Sequence, residues 1–155
     1  MNNHKLVSAS LLTSLLCVPT ILQAEILAVC GASEGHAFYI PGPLVPEKEA
    51  GWLEDKISGG TFQLIRSGDD YDIIFTDATG GTLSAKGDGG EIIAFKSSRG
   101  DLIVTILYPL AIETYAFWFS SSGPLIATFS QVKHSTPIAK HAVFKADCQR
   151  PDPRN

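Results

Sequence analysis

The chain has 155 residues, 45% of them apolar and 18% charged, and a formal net charge of −4 at pH 7. That length suits one domain, and that composition supports a packed core rather than a disordered chain. The mildly acidic balance leaves no electrostatic footprint for nucleic acid and no basic patch for an anionic membrane surface.

Residues 1–24 read as a secretory signal peptide. Lys5, with His4 beside it, forms a short positive start, and residues 6–22 form the apolar stretch around LLTSLLCV. Pro19 breaks that stretch, and Ala24 offers a small residue at the cut. Leu22 is larger than the usual small residue three positions before a cut, so an uncleaved N-terminal anchor is the alternative. Cys17 follows Leu16, where a lipidated cysteine requires a small residue, so lipidation is set aside. The reading is export to the periplasm or beyond, with no stable membrane insertion after cleavage.

Cleavage removes Cys17 and leaves Cys30 and Cys148. Two cysteines at opposite ends of an exported domain predict one structural disulfide. A redox-active pair would sit close in sequence, as C-x-x-C, and these do not.

In chain order, ILAVC (26–30) and HAFYI (36–40) are short strand candidates. PGPLVPEKEAG (41–51), with three prolines and two glycines, is an irregular excursion. EKEAGWLEDKI (47–57) has the only helical flavour, with Trp52, Leu53 and Ile57 able to share a face, but Gly51 limits it to a turn or two. From Thr61 onward the pattern is strand and tight turn. TFQLIR (61–66), YDIIFT (71–76), residues 82–86 and EIIAFK (91–96) alternate with Gly/Asp/Ser turns. The most apolar stretch is LIVTILYPLAIETYAFWF (102–119), read as two adjacent strands turning at Tyr108-Pro109-Leu110. A transmembrane helix there is opposed by Pro109, by Glu113 at membrane depth, and by the β-branched and aromatic composition. An outer-membrane barrel would need longer strands. Residues 124–133 and 141–148 are the last strands, and QRPDPRN (149–155) is predicted to be a disordered tail.

These elements predict an all-β fold, an antiparallel up-and-down barrel or sandwich of about seven or eight strands, with at most one short helix near 47–57. It is a single domain over 25–148, and Cys148 would tie the last strand to the first and help close the edges.

No constellation in the sequence specifies a reaction. Gly31-Ala32-Ser33-Glu34-Gly35 matches G-x-S-x-G, but no helix follows it as a hydrolase elbow requires, so a glycine-bounded turn is preferred. His36, His134 and His141 have no metal-ligand spacing. The seven-residue gap between the last two would put them on opposite faces of a strand, and a loop intervenes, so no metal site is expected. Asp69, Asp70, Asp72, Asp77 and Asp88 are read as turn formers rather than as a calcium site. Arg99-Gly100-Asp101 is ordinary turn chemistry at a hairpin tip.

Glu113 is the most informative polar residue. By alternation it shares a face with Tyr115, Phe117 and Phe119. Inward, that face would set a carboxylate among aromatic rings, needing a partner such as Arg66, Lys96 or Lys133. Outward, the other face (Ile112, Thr114, Ala116, Trp118) would be core. The outward register is favoured, because both faces are partly apolar.

The sequence resembles small exported proteobacterial proteins of unassigned function, on Cys30-Gly31, Phe38-Tyr39, Gly51-Trp52, Tyr71-Asp72-Ile73, Glu113-Thr114-Tyr115 and the closing His141…Cys148. The resemblance implies a bacterial exported protein and carries over no catalytic residue. Gly51-Trp52 is similar to the G-x-W opening of lipocalins, but no residue separates the pair here, so no ligand-binding role is transferred.

The expected function is therefore non-enzymatic binding by a monomer without a cofactor. The partner would be a small apolar ligand in the barrel mouth or an envelope protein, for instance an envelope-directed hydrolase that it inhibits. A ligand carrier predicts a pocket lined by Glu113, Tyr115, Phe117 and Phe95. A protein binder predicts a filled core and an exposed patch within 40–52. The alternative is a small periplasmic hydrolase using Ser33 or Glu113 with a histidine.

Overall fold

A computed structural model describes residues 23–119 and 124–151. Nearly all of the predicted signal peptide lies outside the described residues, as do 120–123 and 152–155. The strands are β1 (Glu25–Tyr39), β2 (Gly51–Ile57), β3 (Thr61–Ser67), β4 (Asp70–Thr76), β5 (Thr82–Ser84), β6 (Glu91–Lys96), β7 (Leu102–Tyr108), β8 (Ala111–Trp118), β9 (Leu125–Lys133) and β10 (Lys140–Gln149). All pair antiparallel, and the order β5-β4-β3-β1-β10-β9-β8-β7-β6 makes one curled half-barrel of nine strands, with β2 attached to β1. Most neighbours in space are neighbours in sequence, the up-and-down pattern that turn-length links produce.

The fold class is thus the one expected, with more strands. β1 fuses the first two candidate strands into one strand of 15 residues. One edge of β1 pairs with β10. The other edge pairs first with β3 (Glu25 to Cys30) and then with β2 (Ser33 to Tyr39). The register shifts between Cys30 and Ser33, so GASEG is not the expected turn but an irregularity inside a long strand. Such irregularities bend a strand, and here the bend lets β2 take over from β3.

The helical reading of 47–57 shrinks to a single 3-10 turn at Glu47–Glu49. The segment after it is strand, because β1 offers seven consecutive pairing partners from Tyr39 back to Ser33. Tertiary pairing overrides weak helical propensity. Lys140 of β10 reaches Asp55 of β2 at 2.6 Å, with both side chains mostly buried, and so ties β2 to the main sheet.

Turn chemistry sets the register of the hairpins. Ser67 opposes Asp70 across two residues, and Gly68 takes φ 62, the conformation a primed hairpin turn requires at its first central position. Tyr108 opposes Ala111 across Pro109-Leu110, which confirms the predicted turn in the apolar stretch. Cys30 and Cys148 are opposite one another in the β1–β10 ladder and form the predicted disulfide. Its partner strand reaches further than expected, since Gln149 of the predicted tail still pairs with Val29.

The concave face carries the core. Leu64, Val104, Tyr115, Phe117, Phe129 and Phe144 are all buried there. The convex face is exposed, and Phe95 lies on it with 58% of its surface accessible. Phe95 therefore does not line an interior pocket. On β6, an edge strand, it has no sheet layer to cover it.

Candidate functional site

The concave face is filled at one end and open at the other. At the open end a cleft of about 650 Å³ lies beneath the turns that join β2 to β3, β4 to β5 and β7 to β8, with Thr136 of the β9–β10 loop at its rim. Its walls are mostly apolar. Phe62, Tyr115 and Phe129 form an aromatic floor, with ring centroids 5.0–5.6 Å apart. Phe75 closes on Tyr115 at 6.1 Å. Such rings arrive from β3, β4, β8 and β9 because each strand places alternate residues on the concave face.

Glu113 lies in this cleft, only 6% exposed. The expected outward register of β8 is therefore corrected: Ile112 and Trp118 face solvent, 47% and 50% exposed. Both faces of β8 are apolar enough to be buried, so the neighbours decide. Opposite Tyr115 stand Val104 and Phe129, and opposite Glu113 stands Gln131, all on the core side.

Both oxygens of the buried carboxylate are held. The Tyr115 hydroxyl donates to Glu113 Oε2 at 2.8 Å, and Gln131 Nε2 donates to Oε1 at 2.7 Å. Lys133 Nζ stands 3.9 Å from Oε1, which selects Lys133 among the three cations considered as partners. Arg66 is instead paired with Glu25. A charge inside an apolar wall is tolerable only with such donors around it. The carboxylate in turn acts on the phenols. Burial first, and then the Glu113 charge, push the Tyr115 hydroxyl well above the ordinary tyrosine range. Tyr108, at the cleft wall, is pushed up to about 12 by burial and by the charges of Glu113, Asp88 and Asp72. Both remain neutral hydrogen-bond donors at physiological pH.

The sequence-predicted trio divides. Glu113 and Tyr115 line the cleft, whereas Phe117, fully buried, lies one step deeper along β8, its ring 6.4 Å from that of Tyr115. Ser33, 5% exposed, reaches the same cleft from the irregularity in β1. None of His36, His134 and His141 lines it. Contrary to the spacing argument, His134 and His141 do meet, with their Nε2 atoms 2.9 Å apart on the surface. The loop that intervenes between them resets the alternation and turns both rings to the same side.

Two of the acidic residues hold backbone at turns. Asp77 Oδ1 accepts from the backbone N–H groups of Thr79 and Gly81 and from the Thr79 hydroxyl. Asp72 Oδ1 accepts from the N–H of Ile73 and of Lys86. The Arg99-Gly100-Asp101 tip is held by Ser97 Oγ, which accepts from the N–H groups of Arg99 and Asp101.

Gln131 and Tyr108 escaped the sequence reading. The alternation of Leu125, Ala127 and Phe129 already places Gln131 on their face, two residues on. Its meeting with Glu113 depends on the β8–β9 register, which no local pattern announces.

The disulfide suggests an oxidising, exported compartment. No helix among the described residues is long and apolar enough to cross a membrane. Compared with known proteins, the chain matches no family model, no curated protein and no solved structure.

Proposed function

We propose that the protein is an exported, non-enzymatic binding module that holds a small amphiphile in this cleft. The observation that supports the reading is a cleft with an aromatic floor and one buried carboxylate on its wall, held by one donor on each oxygen and with acceptor capacity left over. Apolar walls with a few convergent polar groups are the usual make-up of small-molecule sites. The apolar body of the ligand lies on Phe62, Phe75 and Phe129. Its head group sits beside the Glu113–Lys133 pair, donating to the Glu113 carboxylate and accepting from the Lys133 ammonium. Export rests on residues 1–24 together with the disulfide. The hydrolase alternative keeps Ser33 and Glu113 in one cleft, but among the described residues no histidine lines it, so binding is preferred.

The test is to purify the exported protein under native conditions and identify bound small molecules by mass spectrometry. A stoichiometric amphiphile, lost or at least tenfold weaker in Glu113→Gln and in Phe129→Ala, supports the proposal. An empty protein in repeated preparations, with no binding of an environment-sensitive alkyl fluorophore, overturns it.

A second reading draws on Trp52 and Leu44, which are 70% and 64% exposed. Trp52 stacks edge-on against Phe38 at 5.6 Å on the convex side. Aromatic anchors of this kind mark protein interfaces. Here the same purification would yield a stoichiometric envelope protein whose retention is lost in Trp52→Ala.

A further inference from the structure

We infer that His134 and His141 form a surface site for a divalent transition cation of the copper or nickel type. The site is independent of the cleft. β9 and β10 make a hairpin whose last pair is Lys133 opposite Lys140. His141 is the next residue of β10, opposite Val132, and it faces outward. His134 is the first residue past β9, and its N–H donates to the Leu110 carbonyl at 3.0 Å. Ser135 follows with φ 55, the one left-handed non-glycine residue among those described, and it turns the chain away. The two rings are thus delivered from fixed backbone positions, one from a strand and one from an anchored loop start.

Their spacing fits a chelate. The Nε2 atoms are 2.9 Å apart and the ring planes lie at 70°. Metal–imidazole bonds of about 2.0–2.1 Å meeting at a right angle put the two nitrogens about 2.9 Å apart, whereas a tetrahedral angle needs about 3.3–3.4 Å. Right-angle nitrogen ligation is the tetragonal arrangement of copper(II) and nickel(II). Without metal, a single N–H···N hydrogen bond holds the same contact. The adjacent cations do not oppose binding, because Lys133 and Lys140 turn to the concave side toward Glu113 and Asp55. No third His, Cys, Asp or Glu joins the pair among the described residues, so water completes the coordination sphere.

The exported protein, purified without a polyhistidine tag, is titrated with copper(II) chloride in a non-coordinating buffer. The expected result is one ion per chain, with an electron paramagnetic resonance spectrum showing two equatorial nitrogens. His134→Gln and His141→Gln each weaken binding at least tenfold, and His36→Gln leaves it unchanged. A wild-type spectrum with fewer than two imidazole nitrogens, or undiminished affinity in both variants, overturns the site. The wild-type spectrum does not depend on how the variants fold.

Discussion

Three successive inward residues of β8 cross two regions of very different character. Phe117 sits in the filled end, stacked between Tyr115 and Phe119 and fully buried. Leu102 and Ala127 oppose it on the flanking strands, and the disulfide ties β1 to β10 on the same concave side. Two steps along the same strand, Glu113 sits in the open end, among hydrogen-bond donors and below loops. The curvature of the sheet is shared, so shape alone does not make a site. The difference lies in the fill: where large rings interdigitate, the face is core, and where the strands give way to turns, the same face becomes a cleft. Tyr115 belongs to both, its ring in the aromatic floor and its hydroxyl on Glu113.

The sharpest way to break this contrast is at its filled end. Phe117→Ala removes a ring from the best-packed position and is expected to cost about 3–5 kcal/mol, read by denaturant unfolding. Replacing Cys30 and Cys148 together by Ala removes a link across 118 residues and should cost about 2–5 kcal/mol. Reductant should then lower the melting temperature of the parent and leave the double variant unmoved.

A smaller effect separates two glycines of β1. A methyl group on Gly35 would collide with the Val143 carbonyl oxygen, so Gly35→Ala forces the β1 and β10 backbones apart. Overpacking of this kind costs about 1–3 kcal/mol, occasionally more. At Gly31, on the cleft, nothing lies within 4 Å of the added methyl, and the backbone is not left-handed. Gly31→Ala should gain about 0.4–1 kcal/mol through the unfolded state, while its methyl narrows the cleft and should weaken binding of the proposed amphiphile. Finding both variants equally destabilised would erase the distinction between packed ladder and open cleft.

The least perturbing probe is pH. Tyr115 and Tyr108 have hydroxyls held above the ordinary value of 10.0 in the fold. The unfolded chain then releases those protons first, so it binds fewer protons than the native state above pH 10. Stability contributed by the neutral phenols is intact below pH 10 and is lost as pH rises toward about 12, where Tyr108 ionises. An ultraviolet titration should show these two phenols ionising late, and Glu113→Gln should bring Tyr108 down toward the ordinary range. Normal titration of every tyrosine in the native protein would contradict the buried carboxylate–phenol pair.

Much of this architecture was legible in the residues themselves. Alternating β-branched and aromatic positions, punctuated by Gly, Asp and Pro, specify strands and turns because those preferences are local. The pairing of Cys30 with Cys148 followed from their number and from the export that residues 1–24 predict. What local pattern could not decide was direction and partnership. Residues 47–57 lean weakly toward helix, and only the free edge of β1 made 51–57 into β2. GASEG looks like a turn, and only the pairing with β10 that resumes at Ser33 made it part of a strand. His134 and His141 seem to be on opposite faces until the loop between them is folded.

Glu113 shows the division most clearly. The sequence alone determined that one carboxylate would interrupt the most apolar strand, with Tyr115 and Phe117 on its own side. Only the tertiary structure decided that this side faces inward. Both faces of β8 could be buried, and the choice lay with Val104, Phe129 and Gln131, residues brought opposite by the registers of β7 and β9. A buried charge is stable where its donors converge, and convergence is a property of paired strands rather than of any one of them.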